Sequence, residues 1–153
     1  MMMAYKEAVK AAEEDEVPVG CVIVKDDAVI ARAHNRKEKK QNATRHAEIE
    51  AIDKAAKKIG NWYLEDCDLY VTLEPCMMCT GAIINSRIRK VIYATRDPKG
   101  GSFKSVLDLY ELKGINHYPE MEEGCMKEEC SQLLKDYFHR KRNSMNKGNG
   151  NRL

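Results

Sequence analysis

The sequence predicts a three-layer α/β domain, with helices on both faces of a central mixed five-stranded sheet. Three observations carry this. Short runs of β-branched and apolar residues alternate along the chain with segments of helical period. Gly, Pro and Asp fall between those segments, where turns belong. The length, 153 residues, fits one domain better than two. A chain of that size buries roughly two thirds of the surface its unfolded form exposes, so a full core needs no staples.

Residues 4–15 have helix-forming composition and end in the acidic run Glu13-Glu14-Asp15-Glu16. Val19 to Val24 is a β-branched strand. Lys25-Asp26-Asp27 turns, and Ala28 to Ala31 resumes the apolar pattern, so the two runs form a hairpin. Residues 35–45 are polar and read as a loop. From His46 the period is helical: Ile49, Ile52, Ala56 and Ile59 share one stripe, and Gly60 is placed as the stop. Asp68 to Thr72 is a strand. Pro75 stands where the first turn of the next helix begins, and that helix runs through Met78 and Ala82-Ile83-Ile84.

Lys90 to Ala94 is a further strand, and residues 95–104, with Pro98, Gly100 and Gly101, are a loop. Ser105 to Leu112 reads as a short helix. Ile115 to Met121 reads as a last strand, which Pro119 confines to an edge or a bulge. Met126, Cys130, Leu133, Leu134, Tyr137 and Phe138 then keep a helical period. The folded domain is expected over residues 1–142. Residues 143–153 read as a basic, disordered tail.

The net charge of +2 is too small to argue for a nucleic-acid partner, although the end of the chain is locally basic at His139-Arg140-Lys141-Arg142. No stretch is apolar for long enough to span a bilayer, and Met1 to Glu7 lacks the apolar core of a signal peptide. The expected compartment is the reducing cytoplasm. Six cysteines there are more often ligands or free thiols than a disulfide framework.

The chemistry centres on His46-Ala47-Glu48 and, after Pro75, on Cys76-Met77-Met78-Cys79. Two cysteines three apart at a helix start put both sulfurs on one face, and the positive helix end there favours thiolates, the form that binds metal. His46 and Glu48 are two apart, which on a regular helix separates them by about 200°. They converge only if they sit at the helix start and the helix end itself points at the metal. Structural zinc is normally closed by four Cys or His ligands, but this cluster offers three, His46, Cys76 and Cys79. The fourth position is then open to a water, and Glu48 is placed to move its proton. A lone His at a helix start is more often a cap, and a lone C-x-x-C could be a redox pair. The joint pattern outweighs both. Cys21 and Cys67 read as core thiols, Cys125 and Cys130 as structural.

H-x-E followed by P-C-x-x-C is the signature of zinc-dependent nucleobase deaminases. The wider set is Pro18-Val19-Gly20, Asn35, His46-Ala47-Glu48, Thr72 to Cys79, Ser86-Arg87-Ile88, Asp97 to Gly101, Asn116-His117 and Asp136 to Arg140. It resembles the bacterial tRNA-specific adenosine deaminases of the cytidine deaminase superfamily over about residues 5–142. The resemblance implies a cytidine-deaminase-like fold and a hydrolase of the amidine C–N bond, with one zinc per subunit. It further implies conversion of adenosine to inosine at the wobble position of a tRNA anticodon loop, by a homodimer with no membrane partner. By the same resemblance, Glu48 is catalytic and Asn35 and the Ala47 backbone hold the flipped base. Asp97, Lys99, Phe138 and Arg140 would meet the RNA.

The chain departs from the family at Ala94-Thr95 and at Ser102-Phe103-Lys104-Ser105, both beside the expected rim. Ala94-Thr95 and Phe103-Lys104 motivate an alternative, a deaminase of a free base or nucleoside such as guanine or cytosine. The basic carboxy-terminal helix argues against it. A zinc-stabilised RNA-binding module without catalysis is the third reading.

Overall fold

In a computed structural model that describes residues 1–149, the expected hairpin is present as β1 (Gly20–Lys25) and β2 (Ala28–His34). Asp26 and Asp27 both take positive φ, 50° and 60°, as a tight hairpin turn requires. With β3 (Cys67–Leu73), β4 (Lys90–Thr95) and β5 (Glu120–Glu123) they form one sheet of order β2-β1-β3-β4-β5. β1 runs antiparallel to β2 and β3, while β3–β4 and β4–β5 are parallel. The sheet is therefore mixed and five-stranded, as the sequence predicts.

The helices are α1 (Met2–Glu13), the four-residue α2 (Lys37–Lys40), α3 (Ala47–Ile59), α4 (Met77–Asn85) and α5 (Lys127–Asn149). Strand alternation sorts them onto two faces. Cys21 and Ile23 of β1 enter a core with Ala47, Ala51 and Ala55 of α3 and Ile83 of α4. Gly20, on the opposite side of β1, lies against α1, where an added Cβ would strike the Ala4 carbonyl. Ala4, Ala8 and Ala11 are fully buried there, so small residues on both elements let helix and sheet approach closely. α1 and α5 touch each other, as do α3 and α4. None of the described helices is long and apolar enough to cross a membrane.

Several boundaries differ from the sequence reading. Residues 35–45 are not wholly irregular, since α2 lies within them. Ser105 to Leu112 contains only a 3-10 turn, Leu109–Glu111, with the Asp108 side chain accepting from the Tyr110 N–H. The backbone N–H groups of Phe103, Lys104 and Ser105 go to the Glu74 carboxylate, and those of Val106 and Leu107 to the Gly101 carbonyl. The last strand starts after Pro119 rather than across it. Proline has no N–H for the ladder, and its carbonyl takes the Tyr110 hydroxyl at 2.6 Å. The tail expected from residue 143 is helical to Asn149, in a stretch free of proline. Residues 150–153 lie outside the described residues.

Candidate active site

Two helix starts meet at one point. His46 is the residue before the first turn of α3 and has extended backbone, φ −73° and ψ 156°. Cys76 holds the same position before α4, with φ −75° and ψ 176°. Pro75 thus precedes the cap rather than occupying the first turn. Because His46 is extended and Glu48 is helical, the 200° separation of a regular helix does not apply. Both line a single cavity of about 230 Å³, together with Asn35, Glu74, Cys76, Asp97 and Tyr137. That is below the roughly 300–1,000 Å³ common for small-molecule sites, and suits one base-sized group.

His46 Nδ1 lies 3.6 Å from Cys76 Sγ and 3.5 Å from Cys79 Sγ. These three residues form a group that could hold a metal ion. The spacing fits the donors: a sulfur about 2.3 Å and a nitrogen about 2.0 Å from a tetrahedral ion stand about 3.5 Å apart. The Cys79 thiol and the His46 ring hydrogen-bond Cys76, whose pKa falls to about 4. Cys79 is pushed up by its bond to Cys76 and by burial. His46 is raised, first by its bond to Cys76. Two cysteine sulfurs and a histidine nitrogen facing each other are a site in which a cation can replace protons.

Glu48 is 4% exposed, and burial raises its carboxyl above the ordinary range. A buried carboxyl with a raised pKa exchanges protons nearer neutrality, as a shuttle needs. Asn35 Oδ1 accepts from the Ala47 N–H at 2.8 Å, which leaves its NH₂ for a ligand. Asp97 lines this cavity and also a neighbouring cleft with Lys99, Arg96, Lys135, Phe138 and Arg142. Phe138 is exposed while Tyr137 is buried, so one of that aromatic pair packs and the other faces solvent. Arg140 is not brought to either space. It borders a separate hollow with Asp15 and Lys141, because successive residues of a helix point about 100° apart.

Four of the six departures at the rim, Ala94, Thr95, Ser102 and Phe103, are buried. Thr95 is buried and its hydroxyl pairs with Ser131 of α5 at 3.1 Å. Phe103 is fully buried with its ring edge against Tyr93. Neither lines the cavity. Sequence reasoning quoted Glu74 only as part of a motif, yet its carboxylate gathers the rim. The signal was an acid in an otherwise apolar strand end, Thr72-Leu73-Glu74-Pro75.

The MafB19-like deaminase family model matches residues 1–142. The tRNA-specific adenosine deaminase of Bacillus subtilis (strain 168) is 46% identical over 138 residues, covering 90% of this chain and 86% of the relative. The chain belongs to this deaminase family. The deaminase is also similar to a solved structure from studies of A-to-I editing by tRNA:A34 deaminases at the wobble position of transfer RNA. That match has a TM-score of 0.85 and 42% identity, over 88% of this chain and 97% of that one. The fold is thus the cytidine-deaminase-like α/β/α arrangement. A guanine deaminase from Bacillus subtilis is more distant, at TM-score 0.62 and 31% identity, over 93% and 90% of the two chains.

Proposed function

We propose that the protein is a zinc-dependent hydrolase that converts adenosine to inosine at the wobble position of tRNA anticodons. The observation that carries this is the convergence of His46, Cys76 and Cys79 with buried Glu48 in one base-sized cavity. High identity to tRNA-specific adenosine deaminases supports the substrate. His46 Nδ1 and the two sulfurs would hold the ion, one per chain. Bound there, zinc supplies the Lewis acidity that brings a water's pKa near neutrality. Glu48 takes a proton on its carboxylate from the attacking water and delivers it to the departing amine, which leaves as ammonia. The Asn35 NH₂ and the Ala47 backbone orient the flipped base. Asp97, Lys99 and Phe138 meet the anticodon loop, combining charge with an aromatic face for unstacked bases.

Arg140, on a hollow beside these two spaces, meets flanking nucleotides, and Lys135 and Arg142 of the cleft add charge next to Phe138. Residues 1–142 are the catalytic unit, acting in the cytoplasm as a homodimer. Of the residues that motivated the free-base alternative, Ala94, Thr95 and Phe103 are buried, and Lys104 pairs with Asp108. The test is incubation of the zinc-replete protein with bulk cellular tRNA, followed by mass spectrometry of nucleosides. Inosine is expected at the wobble position. Its absence, together with ammonia release from free guanine or cytosine, would overturn the proposal.

A further inference from the structure

The segment from Asp97 to Ser105 has no regular secondary structure of its own. It nevertheless folds back onto the start of α4. Ser102 N–H donates to the Pro75 carbonyl at 2.9 Å, and Cys76 pairs with Gly101 as an isolated antiparallel bridge. What it folds around is one carboxylate. Glu74 Oε1 accepts from the Asp97 N–H at 3.1 Å and from the Ser105 hydroxyl. Glu74 Oε2 accepts from the N–H groups of Phe103 at 3.0 Å, Lys104 at 2.8 Å and Ser105 at 3.0 Å. Glu74 is 2% exposed, and none of the described ion pairs includes it.

A buried carboxylate without a cation is costly unless donors surround it. Here four backbone N–H groups and a hydroxyl do so, forming an anion nest. The nest also fixes Gly101, because a Cβ there would collide with the Glu74 carboxyl.

We infer that Glu74 is the positioning residue that folds residues 97–105 into the rim of the active-site cavity. It is not catalytic, since its oxygens are filled by the segment itself. Its effect reaches substrate through Asp97, which Oε1 anchors and which lines both the cavity and the adjoining cleft. Asp97 in turn caps the Lys99 N–H at 3.1 Å. The acid is required because both oxygens must accept. A glutamine of the same size would turn an NH₂ toward N–H donors at one end of the nest. The inference rests on the proposed RNA substrate for its kinetic effect only.

The test uses Glu74→Gln and Ser105→Ala in the full chain. Zinc content, amide hydrogen exchange at residues 103–105, and KM and kcat on an anticodon stem-loop are measured for each. In Glu74→Gln, zinc content should be unchanged while exchange at those amides accelerates by roughly tenfold or more. KM should rise about tenfold with kcat changed far less, since positioning rather than chemistry is lost. Ser105→Ala, which removes one donor of five, should shift both readouts in the same direction by less. If Glu74→Gln does not fold, Ser105→Ala carries the test. Unchanged exchange overturns the inference. So does loss of zinc from a folded variant, which would make Glu74 a support of the metal site. Absence of turnover by the unmodified protein would instead overturn the proposed function, and the exchange result would still decide this one.

Discussion

Asn35, on the cavity wall, and Ala47, buried behind it, are joined by a 2.8 Å hydrogen bond from the Ala47 N–H to Asn35 Oδ1. The bond links the residue after β2 to the first turn of α3. It satisfies one of the N–H groups that a helix start leaves open, and it fixes the orientation of the Asn35 amide. The end left over is a donor, and a purine base offers ring-nitrogen acceptors.

Asn35→Asp keeps the acceptor for Ala47 and removes the donor, whereas Asn35→Ala removes both. Both variants should weaken kcat/KM on an anticodon stem-loop. The loss should be roughly ten- to a hundredfold, as for a hydrogen bond in a desolvated site. Only Asn35→Ala should also lower the melting temperature. An unchanged kcat/KM in Asn35→Asp would remove Asn35 from base recognition.

Glu48→Ala separates an enzyme from a zinc-stabilised binding module. Zinc content and RNA affinity should persist, while turnover falls by about 10²–10⁴-fold or more. A protein whose RNA function is untouched by the change would be a binding module. Glu48→Gln adds a sign test on the metal-free protein. Burial raises the Glu48 carboxyl, so ionising it in the folded state is unfavourable. That cost appears as pH rises above the unfolded pKa and is complete once pH exceeds the folded one. The metal-free variant should therefore melt higher than its parent at neutral pH and no higher under strongly acidic conditions.

Removing the metal should expose a reactive thiol. Cys76 is half-buried, with a pKa of about 4 held by Cys79 and His46. Chelator-treated protein should be alkylated by iodoacetamide at Cys76 under mildly acidic conditions, where ordinary thiols react slowly. Fully buried Cys21, raised by burial, should stay unmodified. Peptide mass spectrometry reads the sites, and added zinc should protect Cys76. Equal labelling with and without zinc would count against Cys76 as a ligand.

The sheet was legible because β-branched runs in β1, β3 and β4 and the Gly60 stop of α3 are local signals. Gly60 takes φ 74° there, as a helix stop needs. The convergence of His46, Cys76 and Cys79 was legible because helix starts aim several side chains at one point, which spacing suggests. The rim was not. Phe103 and Lys104 read as loop and Ser105 as the start of a short helix, yet the N–H groups of all three answer to Glu74, some thirty positions earlier. Arg140 borders a hollow separate from the cavity, which the sequence did not foretell, for a related reason. A basic run on a helix shows that charge is present, and only the packing of Tyr137 shows which way each residue faces.

His34 bridges two acids of α1 and its exit, with Nδ1 2.8 Å from Glu7 and Nε2 2.9 Å from Glu14. It immediately precedes Asn35, so this clamp ties α1 to the edge of the cavity. Burial pulls the Glu7 carboxyl upward, but its bonds to His34 and Lys10 outweigh that and leave it below the ordinary value of 4.5. Glu14 is lowered chiefly by its bond to His34. Carboxyls with lowered folded pKa values add stability above their unfolded pKa, and the contribution disappears as pH falls through the folded values. His34→Ala should therefore melt below the parent protein at about pH 6. The gap should close as the pH drops past 4.5, the carboxyl value from which both acids are displaced. Calorimetry from about pH 6 to about pH 3 checks this. A gap of constant size across that window would show that His34 acts by packing, with no contribution from its pairing to Glu7 and Glu14.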